Sequence, residues 1–365
     1  MRLSATCFGG PVALVAAMQE DLVVKRKWFR EETFQDGMVL SQLAPGPLAT
    51  QLAVYLGWAQ SGAVGAALVG FSLILPSFLI VVAIASLYTQ YGSAAWIQHA
   101  FLGAGPAVLA IIVLSAWKLM KQNWKADKLL WGIGIFSAAM TVALGRENFF
   151  VFVAAGFLYM FWRSSVQLSR FASLFFLPTL VFTGVHGEAT NVTLWKVLLY
   201  FTKVGAFVFG SGLVIVPFLH SGVVTEFGWL NEQQFMDAIA IAMITPGPVV
   251  ITVAFIGFLV AGVAGAALAC FGVFFPCYLF TVIPAPYFSR WSKNKKMHDF
   301  VIGVTAAAIG CLCGAVVILA RKTLVGIFPA SIFALAWATV YFFKKFPPQI
   351  LILAAGLLGM FYFSN

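Results

Sequence analysis

Stretch after stretch of this chain, many of about 18 residues or more, passes without a charged side chain, which limits the possible folds more than any other feature. Runs of that length and apolarity match helices that cross a bilayer. A membrane β-barrel would instead need alternating segments of about 10 residues, and these runs are continuous. Charged residues make up 9% of the 365 and hydrophobic ones 62%, where a soluble protein carries roughly 25% charged residues. The expected fold is therefore all-α: a polytopic integral membrane protein, with the lipid bilayer as its first partner.

The net charge of +10 raises the question of nucleic acid, but the 22 Lys and Arg fall in short connections between apolar runs. There they orient the chain with its basic loops in the cytoplasm, and no nucleic-acid partner is expected. Cys7, Cys270, Cys277, Cys311 and Cys313 lie in or beside apolar segments and read as small buried hydrophobes. No His or Cys cluster accompanies Cys311 and Cys313, so neither metal nor cofactor is expected. The start, "MRLSATCFGGPVALVAAM", reads as a retained first helix, because its Gly-Gly-Pro would interrupt the apolar core of a signal peptide.

Two of the apolar stretches are broken in the same way, by Pro45-Gly46-Pro47 and by Pro246-Gly247-Pro248. Proline removes a backbone donor and glycine loosens the chain, so each triplet ends a helix. The breaks belong to a longer self-match. At a shift of 201, Phe8-Gly9 meets Phe209-Gly210, Trp28 meets Trp229, and Phe34 and Asp36 meet Phe235 and Asp237. One residue then drops out. At a shift of 200, Gly57 meets Gly257, "GAVGAAL" meets "GVAGAAL", and Phe71 and Pro76 meet Phe271 and Pro276. Gly103 likewise meets Gly303, and Ala154-Ala155-Gly156 meets Ala354-Ala355-Gly356. The expected organisation is a first repeat over 1–163, a linker over 164–191 and a second repeat over 192–365.

Each Pro-Gly-Pro segment has two short arms, in the first repeat 37–44 and 47–58, roughly 12 and 18 Å long as helix. They make either one broken span or a hairpin that enters and returns. The loop charges favour the hairpin. Lys25, Arg26, Lys27 and Arg30 have no counterpart at 219–233, whereas Arg290, Lys293, Lys295 and Lys296 answer a loop with none at 89–98. Lys118, Lys121, Lys125 and Lys128 stand against Arg321 and Lys322, and Arg146 against Lys344 and Lys345. With hairpins each repeat crosses five times, so the repeats are inverted, with about 10 spanning helices plus the two hairpins. That path requires 171–187 not to cross.

Irregular backbone at membrane depth is tolerated where protein buries it or where it lines a cavity. Inverted repeats with interrupted helices are the usual build of secondary transporters, whose half-helix N-termini face anionic substrates. Pro47 and Pro248 are expected in the first helical turn, leaving the amides of Leu48, Ala49 and Thr50, and of Val249, Val250 and Ile251, as free donors. Candidate binding residues are the triplets themselves with Ser41, Gln42, Thr50 and Gln51 beside the first and Thr245 and Thr252 beside the second. The glycine motifs add Gly9, Gly10 and Pro11 in the first repeat, and Gly210, Ser211 and Gly212 in the second. The plainer alternative is that the triplets are kinks and the hydroxyls join helices.

Asp36 and Asp237 are acids preserved by the self-match. They open the Pro-Gly-Pro segments and are candidates for ion coupling, with Glu20; pairing with the helix dipole is the simpler account. His99, His186, His220 and His298 lie at segment ends and read as interfacial. No Ser-His-Asp grouping, HExxH or phosphate loop appears, so an enzyme is not expected. An anion channel on the same scaffold remains the main alternative, and an integral-membrane enzyme on lipid-linked substrate a weaker one.

The residues also carry a resemblance. "FGGPVALVAAMQEDLVVKRKWFREETFQDGMVLSQLAPGPLATQLAVYLGW" followed by "GAALVGFSLILPSF" resembles the chromate ion transporter family. "FVFGSGLVIVPFL" and "MDAIAIAMITPGPVVITVAFIG" are similar to that family's second domain. The resemblance implies a multi-pass protein of the bacterial inner membrane that exports chromate by exchange with protons or another ion. Sulfate, also a tetrahedral dianion, fits the same amides, and a homodimer is left open.

Overall fold

The computed structural model describes residues 10–124, 127–163, 191–210, 212–287, 295–343 and 346–364. The expectations placed on Cys7, Gly9, Lys125, His186, Ser211, the crossing at 171–187 and Lys344 with Lys345 lie outside those residues.

In chain order the helices are α1 (Gly10–Met18), α2 (Glu31–Leu43), α3 (Leu48–Tyr91), α4 (Ala95–Asn123), α5 (Lys128–Leu144) and α6 (Phe149–Arg163). They continue as α7 (Asn191–Phe207), α8 (Ile215–Leu219), α9 (Glu232–Ile244), α10 (Thr252–Val282), α11 (Lys295–Thr323), α12 (Ile327–Phe342) and α13 (Pro348–Ser364). Single π-helical stretches extend α1 (Gln19–Lys25) and α8 (His220–Glu226). The chain is a helical polytopic membrane protein. Among the described residues, Leu48–Tyr91, Ala95–Asn123, Val249–Tyr287 and Lys295–Thr323 are long and apolar enough to cross a bilayer. Helices α5, α6, α12 and α13 are apolar but shorter, 15 to 17 residues.

The Pro-Gly-Pro segment folds back on itself. Gly37, eight residues before Pro45, lies against Leu52 and Tyr55, and a methyl group on it would collide with both side chains. Arms α2 and 48–60 therefore run antiparallel, as a hairpin. A second reversal follows inside α3, where Ser61 (φ −149°, ψ 29°) and Gly62 (φ 62°, ψ −153°) leave helical geometry. Gly57 and Gly65 then close on each other's backbone across that turn. Ala261 (φ −150°, ψ 31°) and Gly262 (φ 62°, ψ −152°) repeat the turn inside α10. At Gly62 and Gly262 the backbone enters a region that is almost the preserve of glycine, since a Cβ would clash there.

Packing is reciprocal. Helix α4 lies along α12 and α13, and α11 lies along α5 and α6. Gly103 of α4 meets the Ala355 backbone of α13, while Gly303 of α11 meets the Ala155 backbone of α6, so neither has room for a side chain. Without a hydrophobic force between helices in lipid, such small-residue contacts are what hold them together.

The glycine-rich start of the second half is not continuous helix: α7 ends at Phe207, Phe209-Gly210 is extended, and helix restarts with a 3-10 turn, Gly212–Val214. Asp36 and Asp237 do not open their helices either; α2 begins at Glu31 and α9 at Glu232, which puts both acids mid-helix, beyond the first-turn dipole.

Candidate functional site

The first break has defined geometry. The Ala44 amide still donates to the Leu40 carbonyl at 2.9 Å, but Ala44 itself is extended (φ −86°, ψ 146°). Gly46 takes φ 141°, Pro47 is extended (φ −67°, ψ 117°), and helix resumes at Leu48. Glycine is required at position 46 both by that φ and by space, since a methyl group would lie 2.8 Å from Gln51 Nε2 and 3.0 Å from Cys277 Sγ. The second break matches it: Thr245 is extended (φ −71°, ψ 139°), Gly247 has φ 111° and Pro248 is extended (φ −74°, ψ 130°). Both closing prolines thus cap their helices and do not enter the first turn as expected.

The breaks come together through the second half's glycine motif. Gly46-Pro47 (β1) and Phe209-Gly210 (β2) pair as a short parallel ladder, Gly46 with Phe209 and Pro47 with Gly210. The Gly46 amide donates to the Val208 carbonyl at 2.5 Å. Two residues beyond the ladder, Gly212 is buried against Val249 and Val250, the residues that follow the second Pro-Gly-Pro. The end of the ladder and the start of the following 3-10 turn thus contact the two breaks, Gly210 the first and Gly212 the second. Each break is also braced by the long arm of the other half: Ser77 Oγ donates to the Pro246 carbonyl at 2.7 Å, and Cys277, its counterpart at a shift of 200, lies on Gly46.

The polar side chains divide into engaged and unengaged groups. Ser41 Oγ donates to the Gly37 carbonyl at 2.6 Å, Thr245 Oγ1 to Ile241 at 2.7 Å and Thr252 Oγ1 to Val249 at 2.7 Å. A hydroxyl whose hydrogen goes to its own helix has none left for a ligand. Gln42 is exposed. Thr50 and Gln51 are different: 1% and 0% exposed, with Thr50 Oγ1 and Gln51 Oε1 lacking a hydrogen-bond partner among the described residues. Gln51 Nε2 donates to the Pro45 carbonyl at 2.7 Å, which fixes the amide's orientation. Groups left bare in a protein interior are costly unless something fills the site.

The amides divide too. At Leu48, Ala49 and Thr50 the helix begins directly as α-helix, so these first-turn N–H groups have no carbonyl four residues back. In the second half the Ile251 amide donates to the Pro248 carbonyl at 2.9 Å, inside a 3-10 turn, so it is not the open donor expected. Gly10 and Pro11 begin α1.

Of the acids, Asp237 is 3% exposed and receives Tyr88 OH at 2.6 Å and Gln233 Nε2 at 2.8 Å. Asp36 is exposed, and Glu20, with a 57% exposed side chain, pairs with Lys25 at 3.3 Å. The interfacial reading of the histidines fails at His220, which is 3% exposed and stands edge-on to Phe235. Sequence reasoning missed Ser77, Cys277, Tyr88 and Gln233. The first two were within reach, since each follows the matched prolines Pro76 and Pro276. Tyr88 had no such signal, its counterpart position being Phe288.

A family model described as "Chromate transporter" matches residues 1–163 and 195–360. A "Chromate transport protein" of Cupriavidus metallidurans is 47% identical over 364 residues, covering 99% of this chain and 90% of that protein. A "Probable chromate transport protein" of Synechococcus elongatus is 47% identical over 376 residues, covering 100% of this chain and 94% of that protein. The Pseudomonas aeruginosa "Chromate transport protein" is 32% identical over 394 residues, covering 100% and 91%. No solved structure matches the chain.

Proposed function

Because the chain belongs to the chromate transporter family, we propose that it is a secondary transporter that exports chromate across the bacterial inner membrane, built as two inverted repeats, with the anion held between the two Pro-Gly-Pro breaks. The observation that carries this reading is that Phe209-Gly210 and Gly212 contact the two breaks, near the buried Thr50 Oγ1 and Gln51 Oε1, which lack hydrogen-bond partners among the described residues. The chain's relatives are named as transport proteins, which favours transport over an enzymatic role.

The chemistry offered between the breaks is that of an uncharged anion cradle. The amides of Leu48, Ala49 and Thr50, with those of Val249 and Val250, would face the ligand, and the Thr50 hydroxyl would add one donor. Each helix end contributes roughly half a positive charge. Two ends offset about one of the two charges of chromate, and an uncompensated charge at membrane depth is expensive. A proton moving in the cycle would meet the remainder; on this reading Asp237 carries it, a reading supported by its burial and its hydrogen bond from Tyr88. Gln51 Oε1 can only accept, so it calls for a water or for a proton on the anion itself.

The test is uptake of radiolabelled chromate into inside-out vesicles bearing the protein, with excess sulfate as competitor. Saturable uptake is expected, blocked by sulfate if the site reads only tetrahedral shape and charge. Pro47→Ala with Pro248→Ala should lower flux while leaving the protein inserted. Normal flux in that double variant removes the proposed site.

A further inference from the structure

The second half carries a cluster of titratable groups that the anion site does not use. His220 is buried at the start of the π-helical stretch after α8, and its Nε2 lies 2.9 and 3.1 Å from the two carboxylate oxygens of Glu232, the first residue of α9. Lys322, from the last turn of α11, bonds the same carboxylate. One carboxylate is thus shared by an imidazole and an ammonium that come from different helices.

The first half shows what the cluster would be without titration. At a shift of 201, Gln19 stands where His220 stands, and Glu31 where Glu232 stands. Gln19 Nε2 donates to Glu31 Oε1 at 3.0 Å, so the same bridge between the same elements is made by an amide, in an exposed setting. The bridge is therefore structural in both halves, and only the second half makes it with an imidazole, a side chain able to take up a proton.

We propose that His220 and Glu232 form a proton-binding site that couples transport to the pH gradient. The inference rests on the transport reading above. A carboxylate only accepts, so the neutral ring must carry its hydrogen on Nε2, and the arriving proton goes to Nδ1. The resulting imidazolium is held by Glu232 in competition with Lys322, which ties the proton to the relative position of α8, α9 and α11. The proton leaves from the same nitrogen when Lys322 takes the carboxylate.

Other charged groups face the cluster and bear on its response. Glu147, in the α5–α6 connection, hydrogen-bonds the Ser221 side chain and feels the charges of His220 and of Lys203 on α7. Burial pushes the Glu147 carboxyl above its ordinary range, and those partners pull it back. Glu226 closes the same π-helical stretch and is exposed.

The experiment uses the full-length protein in proteoliposomes and reads two fluxes. Exchange of labelled for unlabelled chromate at equal pH reports transport; net chromate movement driven by an imposed pH gradient reports coupling. His220→Gln copies the first half's own pair, and it should cut the gradient-driven flux about tenfold while exchange stays within about twofold. Glu232→Gln should give the same split; should one variant lose exchange as well, the other decides. Gradient-driven flux at the wild-type level with exchange intact overturns the proton site. Wild-type protein that exchanges chromate but ignores the gradient overturns it alone, leaving the transport reading standing. Absence of exchange in the wild type overturns the transport reading, and this inference with it.

Discussion

The two halves break their helices with the same triplet and differ in how they restart. After Pro47 the chain enters α-helix at once, at Leu48, whereas after Pro248 it first makes a 3-10 turn, Val249–Ile251. The second half is one residue shorter between its triplet and Gly257 than the first between its triplet and Gly57. Three residues of 3-10 helix rise about 6 Å, the same as four of α-helix. The tighter turn thus absorbs the deletion and lets both halves reach the same reversal, at Ser61-Gly62 and Ala261-Gly262. Its cost is chemical. The turn spends the Ile251 amide and the Thr252 hydroxyl on its own carbonyls, while the first half leaves Thr50 and Gln51 uncommitted. On the function proposed above, anion contact would fall mainly to the first half and proton handling to the second, where Asp237 and His220 are buried.

The largest effect should come from removing what the first half keeps open. Thr50→Val with Gln51→Leu deletes both unpartnered groups with little change in volume. The Thr50 hydrogen bond to a charged group is worth about 1.5–3 kcal/mol, and Gln51→Leu also removes the bond that holds the Pro45 carbonyl at the break, so chromate flux in vesicles should fall on the order of a hundredfold. Flux within a fewfold of wild type would break the assignment of anion contact to this half.

The reversals test where the halves are alike. Gly62→Ala and Gly262→Ala each force a Cβ into backbone that only glycine adopts easily, at about 1–3 kcal/mol. Nothing lies within 4 Å of either added Cβ, so the penalty is purely conformational and should be equal in the two halves. Thermal unfolding in detergent reads it. Unequal losses would mean that the matching dihedrals conceal different loads.

Next in size is the contrast between the acids. Asp237→Asn should lower pH-gradient-driven flux about tenfold, by removing the carboxyl that would carry the proton and that accepts from Tyr88 and Gln233. Asp36→Asn, at the exposed counterpart, should change it by no more than about twofold. Equal responses would erase the division between the halves.

Much of this was legible in the residues. The helical membrane class follows from uncharged runs, and the pairing of the two Pro-Gly-Pro segments follows from the self-match. The hairpin, read from loop charge, agrees with Gly37 packing on Leu52 and Tyr55. Most of what stayed hidden depends on contacts between halves. The ladder between Gly46-Pro47 and Phe209-Gly210 joins segments far apart in sequence, and extended backbone of two residues leaves no periodic signal. Burial separated acids that looked equivalent, because the partner of Asp237 is a tyrosine from α3 that the first half does not reproduce. His220 was hidden for another reason: its partners Glu232 and Lys322 lie in the same half but on other helices, and only the packing of α9 and α11 brings them together.

The smallest expected effect is the one that most sharpens the comparison. Thr252 sits one helical turn past the second triplet, where a sequence reading places it alongside Thr50 as a ligand. Its hydroxyl hydrogen goes to the Val249 carbonyl, closing the 3-10 turn. Thr252→Val keeps the shape and loses only that local bond, whose carbonyl partner can relax within the turn, a net change of about 0.5–1 kcal/mol in stability. Because the hydrogen never faces the anion, chromate affinity should hold within about twofold, judged by the half-saturating concentration in vesicles. A shift as large as that of Thr50→Val would mean that the Thr252 side chain rotates onto the substrate during the cycle, and the two restarts, dissimilar at rest, would become equivalent when loaded.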